Sequence, residues 1–238
     1  MALKIPPLQD VVRLTGSDVA KTADNYRRHL ESAGPVWSYD PAKRQARAVF
    51  SLEMSREAAV KACGQKGHKG GRPFNEEVGG LIWDAANDRG KYMCHPIKSR
   101  MLSLRSDVQI KVDPQFLFVE NGKPVFFYLQ PRKSHVPGAL GLRVIATAIH
   151  SLFAIDDAAD ADLMLLDLSQ PEQCDVRAVA SYNFADLPLL SSAEMEGFFQ
   201  RFVDAYDLVS AEGVRPKPKR PRPEKERGDD LFGPPPPT

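Results

Sequence analysis

The run Asp162-Leu-Met-Leu-Leu-Asp-Leu168 constrains the fold more than any other segment of the chain. An almost continuous apolar run of this length is the pattern of a strand covered on both faces rather than one side-on to water. A sheet that holds such a strand needs helices on both of its faces, and the neighbouring segments supply them. Upstream, Gly141 to Phe153 carries Leu142, Val144, Ile145, Ala148, Ile149 and Leu152 at helical spacing, which gives it a broad buried face. Downstream, Asp175 to Tyr182 reads as a further strand, and Ser191 to Leu208 as an amphipathic helix capped by Ser191 or Ser192.

The middle of the chain has the period of strands. Val108–Asp113 and Phe116–Glu120 are strand-like, Asn121-Gly122 is a strong two-residue hairpin turn, and Pro124–Gln130 is the returning strand. A helix over Asn75–Asn87, capped by Asn75 and stopped by Gly90, precedes them. The order from Asn75 onward is therefore helix, strands, hairpin, helix, strand, strand, helix. That order predicts an α/β fold with a mixed central sheet flanked by helices, spanning 73–213.

Residues 1–72 are expected to form an N-terminal helix and β-hairpin subdomain. A helix from Ser17 to Ala33, capped by Ser17 and ended by Gly34-Pro35, leads to Val36–Tyr39, a turn at Asp40–Lys43 and an alternating segment over Gln45–Leu52. A helix over Ser55–Cys63 follows. Gly64–Pro73 is then a glycine-rich loop bearing Lys66, His68, Lys69 and Arg72. It lacks the Gly-Lys-Ser/Thr ending and the preceding strand of a P-loop, so nucleotide hydrolysis is not expected.

Charge bears on partners. Seven of the 32 basic residues and four of the 31 acidic ones lie from Val214 onward, leaving 25 and 27 before it, so the body is close to neutral. Attraction to phosphate must come from local patches or from the proline-rich basic tail, 214–238, which has too little to bury to repay ordering and is expected to be disordered. Within it, Asp230-Leu231-Phe232 weakly resembles the end of a sliding-clamp-binding peptide, which would make the tail a contact for a protein partner. No apolar run approaches the roughly 20 residues of a membrane span, and Met1–Val12 lacks the pattern of a secretory leader. With Cys63, Cys94 and Cys174 odd in number and widely spaced, a cytoplasmic protein with free thiols and no membrane association is expected. Cys63, His68, Cys94 and His95 have irregular spacing for zinc and read better as buried thiols with incidental histidines.

Chemistry concentrates between Val112-Asp113-Pro114 and Gln130-Pro131-Arg132-Lys133. This segment resembles the core of the PD-(D/E)XK nuclease superfamily, in which an Asp on one strand of a hairpin faces a (D/E)-x-K pair on the next. An upstream helix in that family adds a Glu, here Glu77 or Glu76, and a helix and strand complete a restriction-endonuclease-like core. The resemblance implies a metal-dependent phosphodiesterase acting on DNA. Glu77, Asp113 and Gln130 would hold Mg²⁺ or Mn²⁺, and Arg132 or Lys133 would stand near the scissile phosphate. Two departures matter. Gln130 replaces a carboxylate and binds a hard cation more weakly, and Arg132 replaces a lysine with a group that cannot act as a base.

Thr15–Leu52 resembles a winged helix-turn-helix, with the stretch ending Tyr26-Arg27-Arg28-His29-Leu30 as recognition helix and a hairpin bearing Lys43, Arg44 and Arg47 as wing. This resemblance implies that Arg27, Arg28, Lys43, Arg44 and Arg47 contact DNA, joined by Lys66, Lys69 and Arg72 on the glycine-rich loop. Two alternatives accompany the nuclease reading. One is a nuclease-like DNA-binding subunit of a DNA-processing or defence complex that has lost turnover. The other is a protein-binding scaffold in which Trp83, Phe126, Phe127 and Tyr128 meet a partner.

Overall fold

The computed structural model describes residues 3–32 and 37–214. The helices are α1 (Leu8–Leu14), α2 (Val19–Glu31), α3 (Asp40–Phe50), α4 (Arg56–Gln65), α5 (Arg72–Asn87), α6 (Ala139–Phe153) and α7 (Ser192–Ala211). The strands are β1 (Cys94–Pro96), β2 (Arg100–Arg105), β3 (Val108–Val112), β4 (Phe116–Glu120), β5 (Lys123–Gln130), β6 (Asp162–Asp167) and β7 (Ala180–Tyr182). Five of the strands form one mixed sheet in the order β1-β4-β5-β6-β7, while β2 and β3 pair as a separate ribbon. β5 and β6 are parallel and joined by α6, and the other neighbours in the sheet are antiparallel.

The α/β fold with its mixed sheet is as the apolar run at 162–168 requires. Residues of β5 and β6 alternate between two cores. Phe126, Tyr128, Leu163 and Leu165 pack with α1, α2, α6 and α7 on one face. Val125, Phe127, Leu129, Met164 and Leu166 pack with α3, α4 and α5 on the other. The second core is aromatic at its centre, where Phe127 stacks on Phe116 at 4.4 Å and Phe50 lies 5.0 Å from Phe127. The helices before residue 72 are thus shared between two cores that the later elements also build.

Several local expectations hold at the level of single atoms. Ser191, expected with Ser192 as a cap, caps α7 through a reciprocal capping box with Glu194, and the helix expected from Ser55 is α4. Asn121 and Gly122 take φ of 51° and 77°, the left-handed pair that a tight hairpin of this twist demands. Asp18 rather than Ser17 caps α2, accepting from the Lys21 amide at 2.8 Å. The helix ends at Glu31; Gly34, Pro35 and Val36 lie outside the described residues, as does the tail from Arg215 on.

Three expectations are corrected. The hairpin expected between Val36 and Leu52 is the helix α3. Its buried residues are Ala42, Ala46, Val49 and Phe50, which is helical spacing, and Pro41 in the first turn has its φ preset and no amide to waste. The apparent alternation from Gln45 to Leu52 came from small alanines that fit either period. Asn75, expected as a cap, lies inside α5, which starts at Arg72. Its buried side chain accepts from the Ala42 amide at 3.0 Å and donates to the carbonyls of Ser38 and Gly71, at 3.0 and 2.8 Å, tying α3 to α5. Finally, β3 pairs with β2, an exposed strand that sequence reading left out, and not with the sheet.

Candidate functional site

Ligand sites of open α/β sheets lie beyond the carboxyl ends of parallel strands. Here that place is where Gln130 and Asp167, register partners, end β5 and β6. Side-chain parity sends Gln130 to the face covered by α1 and α6, the face that also takes Phe126 and Tyr128. Gln130 is fully buried, and both lone pairs of its carboxamide oxygen are engaged. Its Oε1 accepts a close hydrogen bond from Gln9 Nε2 and one from the Arg132 amide at 3.2 Å, while its Nε2 donates to the His135 carbonyl at 2.8 Å.

A layer of charge surrounds this amide pair. Arg132 Nη2 donates to both oxygens of Asp10, at 2.7 and 2.8 Å, and Arg13 Nη2 reaches the same carboxylate at 3.3 Å. Lys43 Nζ, half-buried on α3, lies 3.4 Å from Gln9 Oε1. Burial pulls the Lys43 amine below its usual range and Arg132 adds to the effect, while Asp113, Asp40 and Asp10 oppose it. Burial likewise holds His29 and His135 below the ordinary imidazole value, with Arg13 and Arg132 pushing the same way against Asp10. Asp113 itself is half exposed and pairs with Lys111 at 2.9 Å.

The opposite side of the same strand ends is sealed by Arg177. Its side chain is 1% exposed. It donates to Glu77 at 2.8 Å, to the carbonyls of Pro131 and Leu168 at 2.7 and 2.6 Å, and to the Tyr39 hydroxyl at 2.9 Å. The guanidinium is thus spent on fastening the backbone just past β5 and β6 to α5. Asp167, also buried, has its carboxyl pushed up by burial, an effect opposed by two hydrogen bonds from Ser169.

The three expected metal donors are therefore not one constellation. Glu77 stands on the α5 side and is engaged by Arg177, Gln130 faces α1 with its oxygen already taken, and Asp113 sits at the rim with Lys111. Among the described residues no group of three or more His, Cys, Asp or Glu can hold a metal ion, so the residues present do not fit Mg²⁺ or Mn²⁺. Arg132 is held on Asp10, and Lys133 is half-buried next to it.

The expected DNA contacts also separate. With α3 in place of a wing, Lys43 turns to Gln9, and Arg47 donates to the Cys94 carbonyl at 3.3 Å. Arg27 is clamped by Asp24 and Glu212. Arg28 and Arg44 are exposed. Lys66, Lys69 and Arg72 are exposed as well, but the loop expected over Gly64–Pro73 is only the short connection between α4 and α5, with Arg72 already in the first turn of α5; the His68 ring accepts from the Gly70 amide there and Asn75 donates to the Gly71 carbonyl. From Ala58 to Asn75 the chain has no acidic residue, and none of Lys61, Lys66, Lys69 and Arg72 joins an ion pair among the described residues. Trp83, offered as a partner contact, donates to the Met54 carbonyl at 3.0 Å, and Phe126, Phe127 and Tyr128 are core residues.

Sequence reading missed Gln9, Asp10, Arg13 and Arg177. The first three lie on a seven-residue helix, six of whose residues are buried, too short to declare a period. Arg177 inverts the hydrophobic pattern outright, being buried between Val176, 71% exposed, and Val179, 50% exposed. A cavity of about 500 Å³ lies away from these strand ends, between β2, α6 and α7, and is lined by Leu102, Leu104, His150, Leu190, Phe199 and Val203 among others. No helix among the described residues is long and apolar enough to cross a membrane.

No family model matches the chain, and neither a curated protein nor a solved structure matches it.

Proposed function

We propose that this chain is a nuclease-like DNA-binding protein that holds phosphodiester backbone without cleaving it. The order of α5, the β4–β5 hairpin, α6 and β6, with β5 and β6 parallel, is the order that the PD-(D/E)XK resemblance implies and supports a core of that kind. The observation that carries the loss of turnover is the Gln130 amide oxygen, which already accepts two hydrogen bonds. Where hydrolysis needs a carboxylate oxygen free for a cation, this site has a buried carboxamide bonded to Gln9 and His135, beside an arginine held on Asp10.

Binding is assigned to Lys66, Lys69 and Arg72 at the α4–α5 connection, none of which joins an ion pair among the described residues. Sequence-independent affinity of this kind falls steeply with salt, by about 0.9 in the log–log slope for each phosphate neutralised. Fluorescence anisotropy of a labelled duplex across a salt series tests the reading. Full-length protein is expected to bind at low salt, and K66A/K69A/R72A is expected to weaken binding and to flatten the slope by up to about 3. Absence of binding at low salt, or a triple variant with an unchanged slope, contradicts it.

A further inference from the structure

We infer that Arg13, Lys43 and Arg132 form a phosphoryl-binding site whose present occupant is the chain's own Asp10. Two guanidiniums converge on this one carboxylate, at 3.3 Å and at 2.7 and 2.8 Å, and Lys43 approaches the adjacent Gln9 at 3.4 Å. The Asp10 side chain is only 10% exposed, whereas Arg13 and Arg132 are 32% and 35% exposed, so both arginines that grip the carboxylate keep part of their side chains in solvent.

Of the described residues, Asp10 is the one buried carboxylate among Arg13, Arg132 and Lys43, with Asp113 and Asp40 acting on Lys43 from the margin and Lys4 adding positive charge near His29. One donor is left over, since Arg13 Nε is buried with no hydrogen-bond partner among the described residues. A buried guanidinium donor without an acceptor is costly, and a tetrahedral dianion offers the acceptor geometry and the second charge that a lone carboxylate lacks. Asp10 on α1 thus acts as an internal competitor for a phosphate monoester end or free phosphate.

The site is distinct from the Lys66–Arg72 loop, and the inference borrows from the DNA-binding reading only in naming a nucleic-acid end as one source of the phosphoryl group. Isothermal titration with inorganic phosphate, against chloride at matched ionic strength, measures it on the full chain. Wild-type protein is expected to bind phosphate saturably and weakly, D10N about tenfold more tightly because a repelling charge has been removed, and R132Q not at all. A 5′-phosphorylated oligonucleotide outcompeting its 5′-hydroxyl form identifies a nucleic-acid end as the source, whereas equal competition leaves free phosphate as the ligand. Binding that R132Q leaves intact, or no saturable binding in wild type and in folded D10N, overturns the proposal. If D10N does not fold, the wild-type and R132Q titrations decide alone. Loss of duplex binding in K66A/K69A/R72A with phosphate binding retained separates the two sites.

Discussion

Replacing Arg177 with methionine isolates what holds the strand ends together. Methionine keeps much of the stem's volume and flexibility, so the cavity left is small, and the loss falls on the polar partners. Glu77 is 37% exposed and recovers water. The carbonyls of Pro131 and Leu168 do not, because both residues are buried behind Tyr39 and α5. Each orphaned acceptor costs about 1–3 kcal/mol, so R177M is expected to lose about 4 kcal/mol, a large part of the roughly 5–15 kcal/mol that stabilises a domain. With a urea dependence of about 2.5 kcal/mol per molar, the unfolding midpoint, followed by fluorescence of Trp37 and Trp83, falls by about 1.5 M. E77Q removes only the partly exposed ion pair and is expected to shift it by less than about 0.4 M. A shift of R177M no larger than that of E77Q refutes the reasoning, for it would mean that the two carbonyls find other partners.

Asn75→Ala leaves the Ala42 amide and the Ser38 and Gly71 carbonyls without their bridge, and the same urea assay should show a loss of about 2–4 kcal/mol; a loss under about 0.5 kcal/mol contradicts the tie between α3 and α5. His29 and His135 both have folded-state values held below 6.5, so the unfolded chain takes up more protons and stability is lost as pH falls from about 6.5 toward the folded values. The urea midpoint of wild type should therefore drop between about pH 7.5 and about pH 5.5, and H29Q/H135Q should show a shallower drop; equal slopes refute the contribution of these two rings.

How far the sequence discloses the molecule depends on whether a segment's neighbours are near in the chain. The hairpin at Asn121-Gly122, the cap at Ser191 and the twice-covered strand at 162–168 are local signals, and each is where its residues say. α3 shows the limit of pattern reading. Ala46 and Ala48 fit both periods, and what selects the helix is Phe50, which reaches Phe116, Phe118 and Phe127 far along the chain. The candidate site was half legible for the same reason. Gln130 and Arg132 could be named from spacing, but their partners Gln9 and Asp10 lie more than a hundred residues away, and Glu77 is drawn off by Arg177, whose burial no hydrophobic pattern announces.

Incubation of the full chain with supercoiled plasmid at low salt and added Mg²⁺ or Mn²⁺ tests the absence of turnover directly. The plasmid is expected to be retarded in a gel and to remain uncut. Divalent-ion-dependent nicking that disappears in Asp113→Ala would contradict the account, because it would require a carboxylate centre where a sealed amide network now stands.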